Sequence, residues 1–342
     1  MNTEKVRFAV VGVGSFGAAH IKGIYANGDR AELVAVCDIR ESAARNSALD
    51  NGLSKYYTDV YDMLADGGFD CVIVATNDQS HRECSVAALS AGYHVLCEKP
   101  LALTMEDCRA IIKAEESSGK KFMVGQVCRK SPSFIKAKEM IDSGELGEIF
   151  YVESEYAHDY SVFDKPWRLD KEQLRHGIIG GGCHAIDILR WFAGDPTEVF
   201  AYSNHKVLTD WPVDDTTVSI MKFPDGVVGK MFFSMGAKRK YTMRTCVYGS
   251  KGTIICDNRS DNIVLHVPFV NSYGNRDYKE HCIPVEQKPH NVSLEISEMI
   301  DAILLDKDVP LNAREGARTV AVALAAVESS AKGKPVTPKY PK

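Results

Sequence analysis

The sequence lacks the features that mark a membrane protein, a nucleic-acid-binding protein or a secreted protein held by disulfides. No apolar run approaches the ~20 residues that a membrane-spanning helix needs, so we expect no membrane partner. The formal net charge is -5 and the densest basic run is Lys-Arg-Lys at 238–240, so we expect no nucleic-acid partner. The first residues predict no signal peptide, because the apolar stretch 6–13 is short and contains glycine.

Cysteine and histidine pairs at metal-binding spacing are also missing. None of the ten cysteines forms a Cys-x-x-Cys motif, and most lie inside apolar runs such as Val-Ala-Val-Cys-Asp-Ile. Such cysteines are typical of small buried side chains in a reducing compartment, which predicts a cytoplasmic protein without disulfides. The ten histidines include no His-x-x-x-His or His-Glu-x-x-His spacing, so we predict no metal site.

The sequence does contain a glycine-rich motif between a strand pattern and a helix pattern. An apolar run at 6–11 is followed by Gly12-x-Gly14-x-x-Gly17, and a second apolar run ends at Asp38, about 20 residues further on. Gly12 permits a tight turn, Gly14 lets a pyrophosphate approach the backbone, and Gly17 lets the helix pack closely on the strand. This context favours a dinucleotide-binding fingerprint over an ordinary glycine-rich turn.

Asp38 also bears on the choice of dinucleotide. A carboxylate at this position accepts hydrogen bonds from ribose hydroxyls and repels the 2′-phosphate of NADP. Arg40 weakens the argument, because a guanidinium group could stack on adenine or meet a phosphate. We predict NAD, in preference to NADP, as the cofactor.

Strand and helix patterns continue to alternate through the first half of the chain. Strand patterns at 69–76, 94–100 and 121–127 are separated by helical patterns, one of which begins with the capping-box pair Thr104 and Asp107. Such alternation predicts a doubly wound, mostly parallel Rossmann sheet with helices on both faces. Ligands bind beyond the carboxyl ends of such strands, so the residues after each strand are the candidates for the site.

The second half has a different pattern. Strand signals at 148–160, 198–207, 217–223, 227–236, 244–250 and 252–258 follow one another, with turn residues such as Pro-Asp-Gly at 224–226, before two helical patterns. Consecutive strands of this kind imply antiparallel pairing. We therefore predict an α/β fold with two domains, a dinucleotide-binding domain at 1–125 and a substrate-binding and oligomerisation domain of α+β type at 126–342.

Lys99 stands between Glu98 and Pro100 at the end of a buried run. A surface salt bridge at a turn is one interpretation. Two facts oppose it, since the position lies at the predicted ligand edge and proline restrains the chain, through either a trans or a cis bond.

With this element the sequence resembles the Gfo/Idh/MocA oxidoreductase family. The resemblance spans almost the whole chain, and it is carried by VVGVGSFG at 10–17, VLCEKPLALTMEDC at 95–108, KEMIDSGELGEI at 138–149, PWRLD at 166–170 and SSAKGKPV at 329–336. It implies a Rossmann domain followed by a domain with a large open, mainly antiparallel sheet that often supports homodimers or homotetramers. It also implies oxidation or reduction of a hydroxyl or carbonyl of a sugar or polyol with NAD(P).

The resemblance implies that Lys99 lies beside the nicotinamide and the reacting hydroxyl. It also assigns cofactor contacts to residues of the glycine-rich loop and of the strand ends. With Arg40 from the argument above and Gln126 from the end of the last strand, the predicted cofactor-binding residues are Gly12, Gly14, Ser15, Phe16, Gly17, Asp38, Arg40, Thr76, Asn77, His81, Glu98, Lys99 and Gln126. Without the resemblance, His81 would be interpreted as a surface residue at the end of a helix.

His184 occupies the place where the family usually has the histidine of an Asp-x-x-x-His pair. Histidine can accept the proton of an alcohol near neutral pH, and a position at a helix N-terminus should keep the ring neutral. The alternative is a histidine that bonds its own helix terminus. The family's aspartate is replaced here by Gly180, and we expect Asp187 to face elsewhere, with His176 or the cluster at 158–160 as substitutes. Polyol dehydrogenases that depend on this aspartate are therefore poor models for the substrate.

Aromatic and polar residues after the first strand of the second half could meet a sugar, because aromatic rings stack on sugar faces. The alternative is a strand end with solvated polar groups. The predicted substrate-binding residues are Lys99, Arg129, His158, Tyr160, Trp167 and His184.

Together these features predict an oxidoreductase that transfers a hydride between NAD and a secondary hydroxyl of a small carbohydrate-like substrate. Lys99 would anchor or polarise the oxygen and His184 would take the proton, or the roles would be exchanged. One alternative is an NAD-dependent glycoside hydrolase or lyase that oxidises its substrate transiently. A second alternative is an NAD-binding sensor without catalysis.

Overall fold

The chain divides into two compact units, which are described separately. This computed structural model describes residues 5–162, 166–288 and 290–342. The first unit contains residues up to 126 together with 291–320 and 341–342, and the second contains 127–290 and 321–340. The first four residues, on which the signal-peptide prediction partly rests, lie outside the described part of the chain.

The first unit is built on a parallel sheet with the order β2-β1-β3-β4-β5. Its strands are β1 (Val6–Val11), β2 (Ala31–Cys37), β3 (Cys71–Val74), β4 (His94–Glu98) and β5 (Phe122–Gly125). Its helices up to that point are α1 (Ser15–Ala26), α2 (Glu41–Asp50), α3 (Val60–Asp66), α4 (His81–Ser90) and α5 (Met105–Ser118).

The predicted doubly wound sheet is confirmed. Strand β3 is buried along its whole length, as expected for a parallel strand with both faces covered. The capping prediction is also confirmed, since the Asp107 N–H donates to Oγ1 of Thr104 at 3.1 Å immediately before α5.

The second unit is built on an eight-stranded sheet with the order β13-β12-β11-β10-β6-β9-β8-β7. Its strands are β6 (Ile149–Ala157), β7 (Glu198–Asn204), β8 (Thr216–Lys222), β9 (Val228–Ser234), β10 (Thr242–Gly249), β11 (Thr253–Asp257), β12 (Asn262–Val270) and β13 (Arg276–Pro284). Its helices are α6 (Pro132–Asp142), α7 (Gly177–Gly180) and α8 (Cys183–Ala193).

The sheet is mainly antiparallel, as predicted, and β6 and β9 form its parallel pair. Helix α8 packs on β6 and β9. On β8 buried and exposed residues alternate, and the exposed residues include Val218 and Ile220. The sequence analysis missed strands β12 and β13. Strand β13 is largely exposed and polar, so it has no apolar alternation.

Two helices near the C-terminus correct the predicted domain division. Helix α9 (Val292–Leu304) and the first part of α10 (Ala313–Lys332) belong to the first unit, although the sequence analysis assigned all of 126–342 to the second domain. The reason is packing against α1: a Cβ at Gly23 would lie 3.2 Å from side-chain atoms of both Val292 and Ile296. The Asn27 amide also donates to the Ser293 carbonyl at 2.9 Å.

The cysteines are all free thiols, and nine of the ten are buried. Cys282 is exposed on β13. Across the described ranges, no helix combines the length and apolar character needed to cross a bilayer.

Candidate active site

The glycine-rich loop between β1 and α1 has the shape that a dinucleotide diphosphate requires. Gly12 has φ +87°, and a Cβ there would lie 2.6 Å from the Ala75 carbonyl oxygen. A Cβ at Gly17 would lie 2.0 Å from the Gly12 oxygen, whereas around Gly14 the space within 4 Å is open. Helix α1 therefore begins with no side-chain cap and with open space in front of it, so its first N–H groups can receive a phosphate.

Asp38 lies at the end of β2 with its carboxylate fixed from two sides. It accepts hydrogen bonds from the Val13 N–H at 3.1 Å and from Nε and Nη2 of Arg40 at 3.0 and 3.1 Å. Burial raises the pKa of Asp38, but the hydrogen bonds from Arg40 and Val13 together lower it by more, so the net pKa lies below the usual value. Asp38 is therefore a carboxylate at neutral pH.

A groove of about 580 Å³ opens beside this loop. Gly14, Ser15, Lys22, Tyr25 and Arg40 contribute to its wall. Of the predicted cofactor-binding residues, Gly14, Ser15 and Arg40 thus line one groove of the first unit.

The turn after β3 is held by its own side chains. Oγ1 of Thr76 donates to the Asn77 carbonyl at 3.1 Å, and Oγ of Ser80 donates to Oδ1 of Asn77 at 2.8 Å. His81, at the start of α4, is only 1% exposed, and its Nδ1 lies 2.8 Å from the Pro100 carbonyl oxygen. The structure therefore gives His81 a role in holding the segment that carries Lys99, while its contact with cofactor stays a prediction.

The sequence analysis missed a buried pair formed by His20 and Glu98, the residue directly before Lys99. Nε2 of His20 is 2.8 Å from Oε1 of Glu98, and both residues are buried. Burial raises the pKa of Glu98, but the hydrogen bond with His20 and the neighbouring charges lower it below its usual value. The second oxygen of Glu98 accepts from the Lys99 N–H at 3.2 Å, so the pair fixes the backbone at Lys99.

Lys99 itself reaches back to the glycine-rich loop. Its Nζ lies 5.4 Å from the centre of the Phe16 ring, in the first turn of α1. The bond from Lys99 to Pro100 is cis. Gln126, at the end of β5, is 1% exposed, and its contact with cofactor stays a prediction.

In the second unit, His184 belongs to a group of rings that we call the ring cluster. Its members are Tyr156, His158, Tyr160, His184, Tyr241 and His290. The His184 ring stacks on Tyr156 with a centroid distance of 6.2 Å and a 16° interplanar angle, and it lies 6.2 Å from His290. The hydroxyl groups of Tyr156 and Tyr160 are 2.9 Å apart.

The structure thus brings three of the predicted substrate residues together, since His158 lies 5.3 Å from the Tyr160 ring in the same cluster as His184. Burial, followed by the charge of Arg168, lowers the pKa of His158 below its usual value, which favours the neutral ring. Trp167 adjoins the cluster through Arg168, whose guanidinium carbon is 5.1 Å from the Trp167 ring and 4.8 Å from the Tyr160 ring.

Arg129 lies in the core of the second unit. Its Nε and Nη2 donate to the two carboxylate oxygens of Asp187 at 2.7 and 2.8 Å, and Arg190 lies on the same carboxylate at 3.9 Å. The Asp187 carboxylate is therefore bonded to Arg129 in the core. The predicted contact of Arg129 with substrate has no support in this geometry and stays a prediction.

The glycines before α8 have neighbours in the space that a side chain at their positions would need. A Cβ at Gly180 would lie 1.9 Å from Cζ of Arg175 and 2.0 and 2.1 Å from its terminal nitrogens. At Gly181 it would lie 2.7 Å from the Tyr160 hydroxyl. The position that the resemblance gives to an aspartate is thus filled from the side by a guanidinium group.

His20, Tyr156, Arg168, Arg175, Tyr241 and His290 were missed as site residues. Their surroundings come from contacts distant in sequence, although the motif PWRLD did point to the stretch that contains Arg168. Within the part of the chain that the structure describes, His, Cys, Asp and Glu side chains form no group of three that could hold a metal ion.

Comparison with known proteins agrees with this architecture. A family model described as the oxidoreductase family with an NAD-binding Rossmann fold matches residues 6–126, and the GFO/IDH/MocA C-terminal domain matches 134–255. Inositol 2-dehydrogenase 2 of Saccharopolyspora erythraea is 31% identical over 254 residues, which cover 73% of this chain and 72% of that protein. Inositol 2-dehydrogenase of Salmonella paratyphi B is 29% identical over 270 residues, with 78% and 75% covered.

Solved structures show the same fold. A complex of levoglucosan dehydrogenase with NADH has a TM-score of 0.90 at 23% identity and covers 99% of this chain and 100% of that one. The WlbA dehydrogenase of Bordetella pertussis, in complex with NADH and UDP-GlcNAcA, has a TM-score of 0.84 at 24% identity and covers 99% and 100%.

The chain therefore belongs to the Gfo/Idh/MocA family of oxidoreductases, and residues 6–126 form its NAD-binding Rossmann domain.

Proposed function

We propose that this protein transfers a hydride between NAD and a secondary hydroxyl of a sugar, polyol or related carbohydrate. The observation that carries the proposal is the position of the Lys99 ammonium group, 5.4 Å from the ring of Phe16 in the dinucleotide-binding loop. The inositol 2-dehydrogenases among its relatives support the substrate class.

NAD is proposed over NADP because of Asp38. Its lowered pKa keeps it ionised at neutral pH, and a carboxylate at the end of β2 repels a 2′-phosphate. Arg40 does not offset this repulsion, since two of its guanidinium nitrogens are bonded to Asp38.

The proposed mechanism divides the work between the cofactor and the side chains. Bound NAD supplies the hydride acceptor at the nicotinamide ring. The loop 12–17 and Asp38 would hold the diphosphate and the ribose of the bound cofactor. Lys99 donates a hydrogen bond to the reacting oxygen, because an ammonium group has donors and no acceptor. His184 accepts the hydroxyl proton, because a neutral imidazole nitrogen can do so.

The two alternatives considered from the sequence are not proposed. The relatives described above are dehydrogenases, and their names describe neither a glycoside hydrolase or lyase nor a sensor.

The test is purification without added cofactor, followed by an assay of a panel of sugars and polyols at the NADH absorbance. Net NADH formation, with a higher kcat/KM for NAD than for NADP, is the expected result. Cleavage of glycosides without NADH, or bound NAD with neither activity, would contradict the proposal.

We expect His184→Asn to lower kcat/KM by about 100-fold, in the range of a lost general base. The pH profile of kcat/KM should also lose the acidic limb that reflects histidine protonation. The control is His281→Asn on β13, which should leave the rate and the profile unchanged. An unaltered profile in His184→Asn would show that another group takes the proton.

We further propose a homodimer or homotetramer formed through the open face of the second sheet. Large side chains exposed on strands β7 to β9 support this, including Tyr202 at 69%, Ile220 at 53% and Val228 at 42%. Light scattering during size-exclusion chromatography should give a multiple of 37.7 kDa, and Ile220→Lys should shift the mass toward the monomer.

The free cysteines also favour a reducing compartment, the cytoplasm, which cell fractionation tests.

A further inference from the structure

Helix α1, which follows the glycine-rich loop, has a histidine on its buried face. The other buried residues of this helix are Gly17, Ile21, Gly23 and Ile24. His20 is 0% exposed, and burial of an imidazole costs desolvation energy that an apolar side chain in this place would avoid. Packing alone therefore gives no reason for a histidine at this position.

The polar partner of His20 is the buried carboxylate of Glu98. Nε2 of His20 and Oε1 of Glu98 are 2.8 Å apart. Burial raises the pKa of Glu98, but the hydrogen bond with His20 and the neighbouring charges together lower it below its usual value. Glu98 is therefore a carboxylate at neutral pH, and a carboxylate only accepts hydrogen bonds. It follows that Nε2 of His20 carries the proton and donates it to Glu98.

Glu98 connects His20 with Lys99. Its second oxygen, Oε2, accepts a hydrogen bond from the Lys99 N–H at 3.2 Å. Phe16 lies four residues before His20 and therefore on the same face of α1. The centre of its ring is 5.4 Å from Nζ of Lys99. Helix α1 thus meets Lys99 at both ends, at the ammonium group through Phe16 and at the backbone through His20 and Glu98.

The residue after Lys99 is held as well. Nδ1 of His81, which is 1% exposed, lies 2.8 Å from the Pro100 carbonyl oxygen. The backbone of Lys99 is therefore fixed on both sides by buried histidines. Of these two contacts, the one with His20 joins Lys99 to the helix that begins at the dinucleotide-binding loop.

We propose that His20 is a positioning residue, which through Glu98 holds the Lys99 ammonium group in register with the dinucleotide-binding loop. Displacement of a reacting group by about 1 Å can cost about 100-fold in rate, so His20 affects the reaction without being a catalytic residue itself. This inference rests on the proposed function, because it concerns the placement of Lys99 for that reaction.

The first experiment compares two amide variants of His20. The side-chain nitrogen of glutamine is as many bonds from Cα as Nε2 of histidine, whereas that of asparagine corresponds to Nδ1 and cannot reach Glu98. With the sugar or polyol of the panel that has the highest kcat/KM, His20→Asn should lower kcat by about 10- to 100-fold and change KM and the dissociation constant of NAD by less than about threefold. His20→Gln should recover much of the rate. An unchanged kcat in His20→Asn would overturn the inference.

The second experiment asks whether His20 acts through Lys99. In a Lys99→Met background, His20→Asn should change kcat by less than about twofold, because the group that His20 positions is already absent. The same loss in both backgrounds would show a general structural role and overturn the inference. The control is His94→Asn, at the other end of β4, where Nδ1 accepts from the Lys121 N–H at 2.9 Å. This variant should leave kcat unchanged.

A double variant protects the test against misfolding. Replacement of both His20 and Glu98 by leucine removes the pair without leaving a lone buried charge, and such replacements often preserve stability. This variant should lose as much kcat as His20→Asn, and a normal kcat would overturn the inference.

A labelling measurement serves if the protein shows no activity. Mass spectrometry follows the acetylation of Lys99 by acetic anhydride, with the exposed Lys113 as the internal standard. The rate at Lys99 relative to Lys113 should rise in His20→Asn, because a side chain released from its position meets the reagent more often. An unchanged ratio would overturn the inference. If no sugar or polyol of the panel reduces NAD, the proposed function fails, and the labelling ratio still decides whether His20 positions Lys99.

Discussion

Lys99→Met is expected to lower kcat by about 10³-fold and to change the dissociation constant of NAD by less than about threefold. Methionine keeps most of the length of the side chain and removes the ammonium group that would hold the reacting oxygen, and loss of such a group typically costs 10²- to 10⁴-fold. The backbone at residue 99 should persist, because Glu98 and its partner His20 hold it. Steady-state rates and calorimetric titration with NAD measure the two effects.

The matched control is Lys113→Met, an exposed lysine on α5, where both kcat and NAD affinity should stay at the wild-type level. A Lys99→Met enzyme with a normal kcat would remove the central residue of the proposed mechanism. If Lys99→Met also lost NAD binding, the role of Lys99 would be to bind the cofactor and not to hold the reacting oxygen.

Asp187→Ala is expected to lower the free energy of unfolding by about 3–5 kcal/mol, the range measured when one partner of a buried ion pair is removed. The Asp187 side chain is 1% exposed, and those of Arg129 and Arg190 are 9% and 2% exposed. Loss of the carboxylate removes the two charge-assisted hydrogen bonds that Arg129 donates to it in the core, whereas Arg190 keeps its ion pair with Asp195. Urea denaturation followed by circular dichroism measures the change.

A surface pair supplies the comparison. Glu139 lies 3.2 Å from Lys136 on α6, and both side chains are well exposed, at 59% and 42%. Glu139→Ala should therefore change the free energy of unfolding by less than about 0.5 kcal/mol. Equal effects of the two substitutions would show that Asp187 contributes no more than a surface carboxylate.

The first unit could be predicted in detail, because its signals are local. The fingerprint at 12–17, the apolar runs of the parallel strands and the capping pair at Thr104 each depend on residues a few positions apart. The capping prediction and the Rossmann sheet are confirmed by contacts that the structure shows directly. The predicted division into domains was less accurate, since nothing in the sequence of α9 says that it returns to α1.

The second unit shows why the candidate site could be predicted only in part. His158, Tyr160 and His184 were predicted from residue type and place, and they do belong to one cluster of rings. The place of Arg175 was not predicted, because its guanidinium group fills the space beside Gly180, five residues further on, which only the packing of α7 and α8 reveals. In the sequence, Gly180 stands where the resemblance implies a carboxylate. In the structure, the positively charged guanidinium group of Arg175 lies in that space.

The sequence by itself determined the class of fold, the dinucleotide-binding loop and the family, because glycine spacing and apolar periodicity follow from the covalent geometry of neighbouring residues. The tertiary structure decided the partners of the buried charges. His20 meets Glu98 across 78 positions, and Arg129 meets Asp187 across 58. Such pairs obey no periodicity, and they form because a charge that enters the core must find an opposite charge or a hydrogen-bond partner wherever the fold supplies one.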